Sequence, residues 1–378
     1  MHPARSIHAT PIEVLRRLDP DAPVLCFAPE VLQRVASRFL AGFPGLVSYA
    51  VKANPEPAIL ENLAAAGIGA YDVASVPEIE LMRATLPGAV LHYNNPVRSR
   101  AEIARAVALG VRSFSLDSPG ELARLIDLVP AGAEFSVRFK LEAKGAAYDF
   151  GAKFGAPPDA AAPLLAQVAR AGFVPSLTFH PGTQCAPVAV WRAYVREAAR
   201  IARAASVEIA RLNVGGGFPA HRMEAEPPNL APIFEAIGAA RRAGFGVTGP
   251  DLVCEPGRGM VAECCSLLTR VRAVRGAHVF LNDGIYGGLA EMLNLPMTDR
   301  LDVLAPDGTP RGGTARAWTV FGPTCDSLDT LPGLIPLPAE IAEGDAVLVH
   351  AMGAYSGVTA TRFNGFGALR FETVQRLA

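Results

Sequence analysis

Short apolar runs alternate with longer amphipathic segments along most of this chain. The apolar runs have the composition of buried strands, and the segments between them carry apolar residues at helical spacing. The expected strands cover residues 46–52, 69–74, 89–93, 111–116, 134–140, 174–180, 208–214 and 250–255. The expected helices cover residues 57–66, 77–84, 100–109, 119–128, 159–171, 188–205 and 230–243. Glycine is the usual left-handed residue at a helix end, and it is expected to end four of these helices, at Gly67, Gly110, Gly172 and Gly244.

This repeated strand–helix pattern predicts an α/β fold, a (β/α)₈ TIM barrel. A doubly wound open sheet is the alternative, and it is less favoured because no G-x-G-x-x-G motif follows an expected strand. After residue 265 the helices stop, and strands are expected near residues 279–281, 317–320 and 346–349. We therefore predict a barrel over residues 29–264. A mostly β C-terminal domain follows over 265–378, joined by 1–28 through a strand near residue 25.

Composition narrows the class of protein. Half of the 378 residues are hydrophobic and 19% are charged, which is typical of a globular protein. A net charge of -1 gives no indication of binding to nucleic acid or to an anionic membrane. The six cysteines form no C-x-x-C pair, which favours reduced thiols and neither disulfides nor a metal site. With no signal peptide and no apolar run long enough to span a bilayer, a cytoplasmic protein without membrane contact is expected.

Charged and polar residues follow nearly every expected barrel strand. Because catalytic groups of such barrels lie where the strands end, these residues are expected to line one pocket. They are Lys52, Asp72, Asn94, Asn95, Asp117, Arg138, His180, Gly215–Gly217 and Glu255. Lys52 ends an apolar run, and desolvation there would lower its pKa and make the amine nucleophilic. The alternative is a lysine that simply leaves the sheet for solvent.

Two turns near the last barrel strands indicate a phosphate site. Successive glycine N–H groups at Gly215–Gly217 can bind an anion, and Arg258 follows Glu255, Pro256 and Gly257 at the start of a helix. Barrels often bind phosphate after their last two strands, which is where both turns fall. A lysine for the aldehyde, a carboxylate for the ring nitrogen and a phosphate site together fit pyridoxal phosphate.

With these motifs in place, the chain resembles the fold-type III pyridoxal phosphate decarboxylases of basic amino acids, and most of all the ornithine decarboxylase branch. The resemblance covers nearly the whole chain. It rests on Tyr49–Asn54, Tyr71–Ser75 with Glu78, Phe179–Gly182, Gly215–Phe218, Glu255–Arg258, Asp283–Gly287, Gly322–Asp326, Gly353–Tyr355 and Phe363–Phe366. It implies a homodimer whose active sites are each shared between subunits.

The resemblance also implies roles for individual residues. Lys52 would form the Schiff base, His180 would stack on the pyridine ring and Glu255 would pair with the ring nitrogen. Asp72 and Arg138 would line the site near Lys52. The phosphate would be held by Thr183, Gly217, Arg258 and Tyr355, and Gly216, Pro256 and Gly257 would also bind the cofactor. Cys325 would protonate Cα from the other subunit, and Lys153 would pair with Asp329 across the interface. Asp326 would bind the substrate's distal amine, and Tyr286, Phe363 and Cys325 would also contact the substrate.

The implied reaction is decarboxylation of L-ornithine to putrescine. The chain departs from the family at the second acidic residue that grips the same amine, because the corresponding position falls near Asn294-Leu295. Glu291 or Asp299 could replace it, and lysine or a modified diamino acid is the alternative substrate. Diaminopimelate is less favoured because that branch has glutamate at Asp326. A racemase is disfavoured by Glu255, and a non-catalytic regulator or cofactor carrier by the presence of Lys52 and Cys325.

Overall fold

The computed structural model describes residues 7–141, 153–221, 227–295 and 299–377. The chain divides into two compact units, which are described separately. The barrel unit comprises Ala36–Pro219 and Pro228–Gly259, and the β unit comprises the described residues of Met1–Val35, Ala220–Pro227 and Met260–Ala378. The domain boundaries drawn from the sequence stay a prediction.

Four elements precede the barrel strands. They are strand β1 (Ile7–His8), helix α1 (Pro11–Leu18), strand β2 (Val24–Phe27) and helix α2 (Pro29–Gly42). Helix α1 begins after Thr10, whose hydroxyl accepts a hydrogen bond from the N–H of Glu13 at 3.3 Å. Proline at its first position needs no hydrogen-bond partner for its nitrogen, so the sequence sets this helix start locally.

Eight parallel strands close into a barrel, which confirms the predicted (β/α)₈ fold and excludes the open sheet. The strands are β3 (Leu46–Ala50), β4 (Ala70–Val73), β5 (Val90–Tyr93), β6 (Ser113–Leu116), β7 (Glu134–Arg138), β8 (Val174–Thr178), β9 (Arg211–Asn213) and β10 (Asp251–Cys254). The helices after them are α3 (Pro57–Ala65), α4 (Val76–Thr85), α5 (Arg100–Ala108), α6 (Pro119–Leu128), α7 (Pro158–Arg170), α8 (Val188–Ala205), α9 (Ala231–Phe245) and α10 (Arg258–Val261).

Side chains on the barrel strands alternate between two environments. Large apolar residues pack into the layer beneath the helices, as in the edge-to-face pair of Phe114 and Phe135 with ring centroids 6.4 Å apart. The positions between them are buried and polar, and they include Asp72, His92, Ser115, Ser136 and Ser176. Because neighbouring strand residues point to opposite faces, these polar residues face the barrel interior. The interior is therefore polar, which suits charged groups at the strand ends.

The glycines at the helix ends behave as expected in three of four cases. Gly67, Gly110 and Gly172 have φ values of 103°, 81° and 79°. The prediction for Gly244 was wrong, because α9 continues to Phe245 and it is Gly246 that has a positive φ, of 81°. A Cβ on Gly244 would lie 2.8 Å from the Cβ of Ala199 in α8. The absent side chain there allows two helices to pack closely.

The β unit contains a nine-stranded sheet in the described part of the chain. Its further strands are β11 (Cys265–Arg275), β12 (His278–Leu281), β13 (Leu301–Leu304), β14 (Ala315–Phe321), β15 (Ile335–Pro338), β16 (Ala346–Val349) and β17 (Arg370–Val374). Strand β2 lies between β11 and β17, which confirms that the strand near residue 25 joins this unit. Helix α1 covers one part of the sheet, where Val14 and Leu15 pack with Val24 and Leu348. None of the helices in the described ranges is long and apolar enough to cross a bilayer.

Candidate active site

Lys52 lies just beyond the carboxyl end of β3. The strand ends at Ala50, and a single 3₁₀ turn over Val51–Ala53 carries the lysine away from the sheet. Its Nζ lies 3.1 Å from Oδ2 of Asp72, and the lysine side chain is 46% exposed whereas Asp72 is 2% exposed. The expected desolvation of Lys52 was therefore wrong, since the turn brings the amine out of the apolar run. The ion pair with Asp72 holds the amine at the barrel mouth.

Glu255 follows β10 and is buried against two amides. Its Oε1 accepts hydrogen bonds from Nδ2 of Asn213, at 2.6 Å, and from Nδ2 of Asn94. Burial, followed by the charge of Asp72, raises the pKa of the Glu255 carboxyl to about 8, although the amide of Asn213 and the charges of Lys52 and Arg138 oppose this. A cationic hydrogen-bond partner would therefore be needed to keep Glu255 ionised at neutral pH.

His180 follows β8 and presents a neutral ring. The N–H of Gly182 donates to Nδ1 of His180 at 3.1 Å, which requires that this nitrogen be unprotonated. Burial, with the positive charges of Arg138 and Lys52, holds the pKa of His180 well below its usual range. An uncharged imidazole can stack on an aromatic ring without placing a further positive charge in the site.

The glycine loop after β9 passes directly beside His180. A Cβ on Gly216 would lie 2.6 Å from the Glu255 carbonyl oxygen and 3.3 Å from Nε2 of His180. Gly217 has a φ of 87°, and a Cβ there would overlap the carbonyl oxygen of Gly182. Only glycine fits at these two positions, because the backbone comes too close to its neighbours for a side chain.

Helix α8 supports this loop from below. The N–H of Cys185 donates to the Gly217 carbonyl at 2.8 Å, and Nε1 of Trp191 donates to the Cys185 carbonyl at 3.0 Å. The Trp191 ring also stacks on Phe218 with centroids 4.6 Å apart. Thr183 lies on the segment between His180 and Cys185 and is partly exposed. The loop is thus fixed to a long buried helix, as a rigid binding surface requires.

The turn before Arg258 is hydrogen-bonded to strand β3, which precedes Lys52. The N–H of Ala50 donates to the carbonyl of Pro256 at 3.3 Å, and Arg258 begins α10 with 8% of its surface exposed. Gly257 lies between them. Arg138 ends β7, and burial lowers its pKa although the carboxylates of Glu255, Asp117 and Asp72 oppose this. The structure therefore brings the barrel residues predicted from the sequence to one end of the barrel.

In the β unit, the predicted substrate residues form a second cluster. The Tyr286 hydroxyl donates to Oδ2 of Asp326 at 2.5 Å, and the Tyr286 and Phe363 rings have centroids 5.1 Å apart. The N–H of Cys325 donates to Oδ1 of Asn364 at 3.0 Å. The hydrogen bond from Tyr286 lowers the pKa of Asp326, which keeps this partly exposed carboxylate charged. Tyr355 lies elsewhere in the unit, after β16, with a left-handed φ of 63°.

Asn213 had no role in the sequence-based predictions, although it contacts Glu255. Asn213 lies in a short strand and meets Glu255 from 42 positions away, and its only signal was an amide next to the glycine run. Asp329 is 1% exposed and is hydrogen-bonded within its own unit, so its pairing with Lys153 across subunits stays a prediction. The position expected to carry a second acid falls near Asn294-Leu295, where Asn294 is exposed and Leu295 is 3% exposed.

The barrel residues fit pyridoxal phosphate on their own chemistry. Lys52 supplies a primary amine, and Glu255 is a buried carboxyl that needs a cationic partner. Oδ1 of Asp72 is buried and has no hydrogen-bond partner among the described residues, which suits a site that receives a polar ligand. The glycine loop offers backbone that a phosphate can approach closely.

Comparison with known proteins agrees with this chemistry. The family model described as pyridoxal-dependent decarboxylase, pyridoxal binding domain, matches residues 30–262. The lysine/ornithine decarboxylase of Selenomonas ruminantium is 35% identical over 332 residues, which cover 85% of this chain and 81% of that protein. The ornithine decarboxylase of Caenorhabditis elegans is 32% identical over 346 residues, with 84% and 79% covered. A solved structure of SrLDC with PLP and cadaverine superposes with a TM-score of 0.83 at 31% identity, covering 96% of this chain and 92% of that one. The chain belongs to the pyridoxal-dependent decarboxylases, and it is a pyridoxal phosphate enzyme that decarboxylates a basic amino acid.

Proposed function

We propose that the substrate is L-ornithine and that the products are putrescine and carbon dioxide. The observation that carries this proposal is the Asp326 carboxylate, which Tyr286 hydrogen-bonds at 2.5 Å next to the exposed Cys325. A charged carboxylate beside a candidate proton donor can bind the distal ammonium of a diamino acid. Relatives named ornithine decarboxylase and lysine/ornithine decarboxylase support the same substrate class.

In this proposal the barrel residues hold the cofactor. Lys52 would hold the cofactor through its amine, and Asp72 keeps that amine in place through their ion pair. Bound pyridoxal phosphate supplies an electron-withdrawing ring for the electron pair left at Cα when carbon dioxide departs. Glu255 accepts a hydrogen bond from the protonated ring nitrogen, and His180 packs its neutral ring against the cofactor.

The phosphate residues follow from the same arrangement. Backbone N–H groups at Gly216 and Gly217 donate to phosphate oxygens, and Arg258 supplies a positive charge. Further residues proposed to bind the cofactor are Arg138, Thr183, Pro256, Gly257 and Tyr355. The glycines at positions 216 and 217 support this assignment, since no side chain there covers the backbone N–H groups.

We assign the proton that reaches Cα to Cys325. Five cysteines are buried and Cys325 is exposed, so its thiol is available to a substrate. We further propose that Cys325, Asp326, Tyr286 and Phe363 act on the cofactor site of a second subunit in a homodimer. The resemblance to the ornithine decarboxylase branch is the support for this sharing.

L-Lysine is the second candidate substrate, and the lack of an acidic residue at Asn294-Leu295 favours it. Without a second acid near these residues fewer charges are available for the distal amine, so selection of a four-atom side chain over a longer one becomes weaker. A modified diamino acid fits the same pocket chemistry.

The test is release of carbon dioxide from ornithine, lysine, arginine and diaminopimelate, with kcat/KM determined for each. We expect the highest value for ornithine and the next for lysine. A higher value for lysine than for ornithine would establish the second candidate. Turnover of arginine or diaminopimelate alone would reject the proposed pocket, and interconversion of enantiomers without gas release would indicate a racemase.

A further inference from the structure

A single buried carboxylate connects the two loops that carry the proposed substrate residues. Oδ1 of Asp329 accepts a hydrogen bond from the N–H of Ile285 at 3.0 Å. Oδ2 of Asp329 accepts two more, from the N–H and the hydroxyl of Thr324, at 3.0 and 2.8 Å. Asp329 is 1% exposed although it lies in a loop segment. Burying an ionised carboxylate costs free energy unless it is hydrogen-bonded, and the three donors to Asp329 offset that cost.

Both loops are built to receive this carboxylate. A Cβ on Gly284 or on Gly322 would overlap the Asp329 carboxyl group. Neither glycine has a left-handed φ, so the space for Asp329 is what requires them. The backbone of Asp329 is fixed as well, since its carbonyl accepts from the N–H of Gly322 at 2.8 Å and its N–H donates to the Asp326 carbonyl at 3.0 Å.

The donors of Asp329 are the immediate neighbours of the substrate residues. Ile285 precedes Tyr286, and Thr324 precedes Cys325 and Asp326. Asp329 therefore fixes both ends of the hydrogen bond between Tyr286 and Asp326. We call the hydrogen bonds of Asp329 to Ile285 and Thr324 the clamp. If the clamp were lost, the Asp326 carboxylate would shift relative to Tyr286, and a shift of about 1 Å is enough to change recognition of a charged group.

We propose that Asp329 is a positioning residue that sets the location of the Asp326 carboxylate and thereby selects the chain length of the diamino acid. The inference rests on the proposed role of Asp326 in binding the distal amine. It assigns Asp329 a task within its own chain, whether or not Lys153 of a partner also pairs with it.

A second buried carboxylate accompanies the clamp. Asp283 accepts the N–H of Gly288 at 2.9 Å, on the same loop as Tyr286. Burial raises the pKa of Asp283 to about 7, and the charge of Asp329 contributes to this direction.

The test compares Asp329→Ala and the milder Thr324→Val with three controls. Asp345→Ala removes another fully buried carboxylate of the same unit, one that binds Arg311 and the N–H of Ala342. Lys153→Ala removes the predicted partner across subunits. Asp326→Ala removes the group through which Asp329 is proposed to act. For each, kcat and KM are measured with ornithine and with lysine, and visible absorbance reports the bound cofactor.

We expect Asp329→Ala to raise KM for the preferred diamino acid by about tenfold or more and to reduce the ornithine/lysine ratio of kcat/KM, with cofactor absorbance unchanged. Thr324→Val keeps the backbone donor and should give a smaller change in the same direction. Adding Asp329→Ala to Asp326→Ala should raise KM no further, because residues that act through one another are not additive. Asp345→Ala and Lys153→Ala should leave the ratio of the two substrates unchanged.

The inference is overturned if Asp329→Ala leaves KM and the substrate ratio unchanged, or if Asp345→Ala or Lys153→Ala reproduces its effect. If Asp329→Ala fails to fold, Thr324→Val decides, and an unchanged KM there rejects the clamp. Failure of the proposed function is separate, because it appears in wild-type enzyme as preference for another substrate and in Asp326→Ala as an unchanged KM.

Discussion

Replacing Glu255 by glutamine tests the electrostatic description of the cofactor site. The pKa of the Glu255 carboxyl is raised from 4.5 to about 8 in the folded chain, chiefly by burial. A raised pKa means that folding favours the protonated form. The stability associated with protonated Glu255 is therefore fully present below about pH 4.5 and is lost as pH rises through about pH 8. Glutamine keeps an acceptor oxygen for Asn213 and Asn94 but cannot ionise.

The magnitude follows from the difference in proton affinity. Between the unfolded and folded pKa values, each pH unit changes the free energy of unfolding by about 1.4 kcal/mol. As pH rises from about 6 to about 9, ionisation of Glu255 therefore lowers the free energy of unfolding of the cofactor-free protein by about 2–3 kcal/mol. Asp283, with a pKa of about 7, acts in the same direction. Its share over this interval is smaller, about 1 kcal/mol, and stays in the Glu255→Gln variant.

The assay is urea unfolding of cofactor-free wild type and Glu255→Gln at about pH 6 and about pH 9, with Asp283→Asn as a matched control. At the higher pH we expect the free energy of unfolding of the wild type to fall by about 2–3 kcal/mol more than that of Glu255→Gln. Asp283→Asn should abolish only the smaller contribution to this pH dependence that comes from Asp283. With cofactor bound, a cationic ring nitrogen beside Glu255 should reduce the pH dependence. Equal losses in wild type and Glu255→Gln would refute the claim that this carboxyl is strained by burial.

Two further predictions concern the substrate residues and their arrangement in the dimer. Asp326→Ala should raise KM for the diamino acid strongly while cofactor absorbance stays normal, because the variant lacks the carboxylate proposed to pair with the distal ammonium; an unchanged KM would move recognition to another group. Lys52→Ala and Cys325→Ala should each be nearly inactive as homodimers. Mixing them with subunit exchange should restore roughly a quarter of wild-type carbon dioxide release, because each mixed dimer has one site with both lesions and one with neither. No recovery despite proven exchange would place both residues in one site of one chain.

The strands and the barrel could be predicted because their signal is local. Each apolar run and the helix after it are read directly from neighbouring residues, and eight such units admit few arrangements. The barrel site could be predicted because the carboxyl ends of the strands meet on one face. Residues such as Asp72 and Glu255 therefore lie close together independently of the loop conformations. The resemblance to a family added the roles that position alone does not give.

The errors and omissions come from contacts that the local pattern does not contain. Lys52 was expected to be desolvated, but the 3₁₀ turn at Val51–Ala53 moves it out of the apolar run. Gly244 looks like a helix end, and only its packing against Ala199 shows otherwise. Asp329 meets Ile285 from 44 positions away. Nothing in the sequence around Asp329 indicates that it would be buried between two loops.

The measurement that tests the account most directly is the visible absorbance of the purified enzyme together with its carbon dioxide release, for wild type, Lys52→Ala and the control Lys140→Ala. The cofactor linkage is assigned to Lys52, whose amine lies 3.1 Å from Asp72. Wild type and Lys140→Ala should show the absorbance of covalently held pyridoxal phosphate and should release carbon dioxide from ornithine. Lys52→Ala should do neither, although it folds and binds free cofactor weakly. Normal absorbance and gas release from Lys52→Ala would contradict the account.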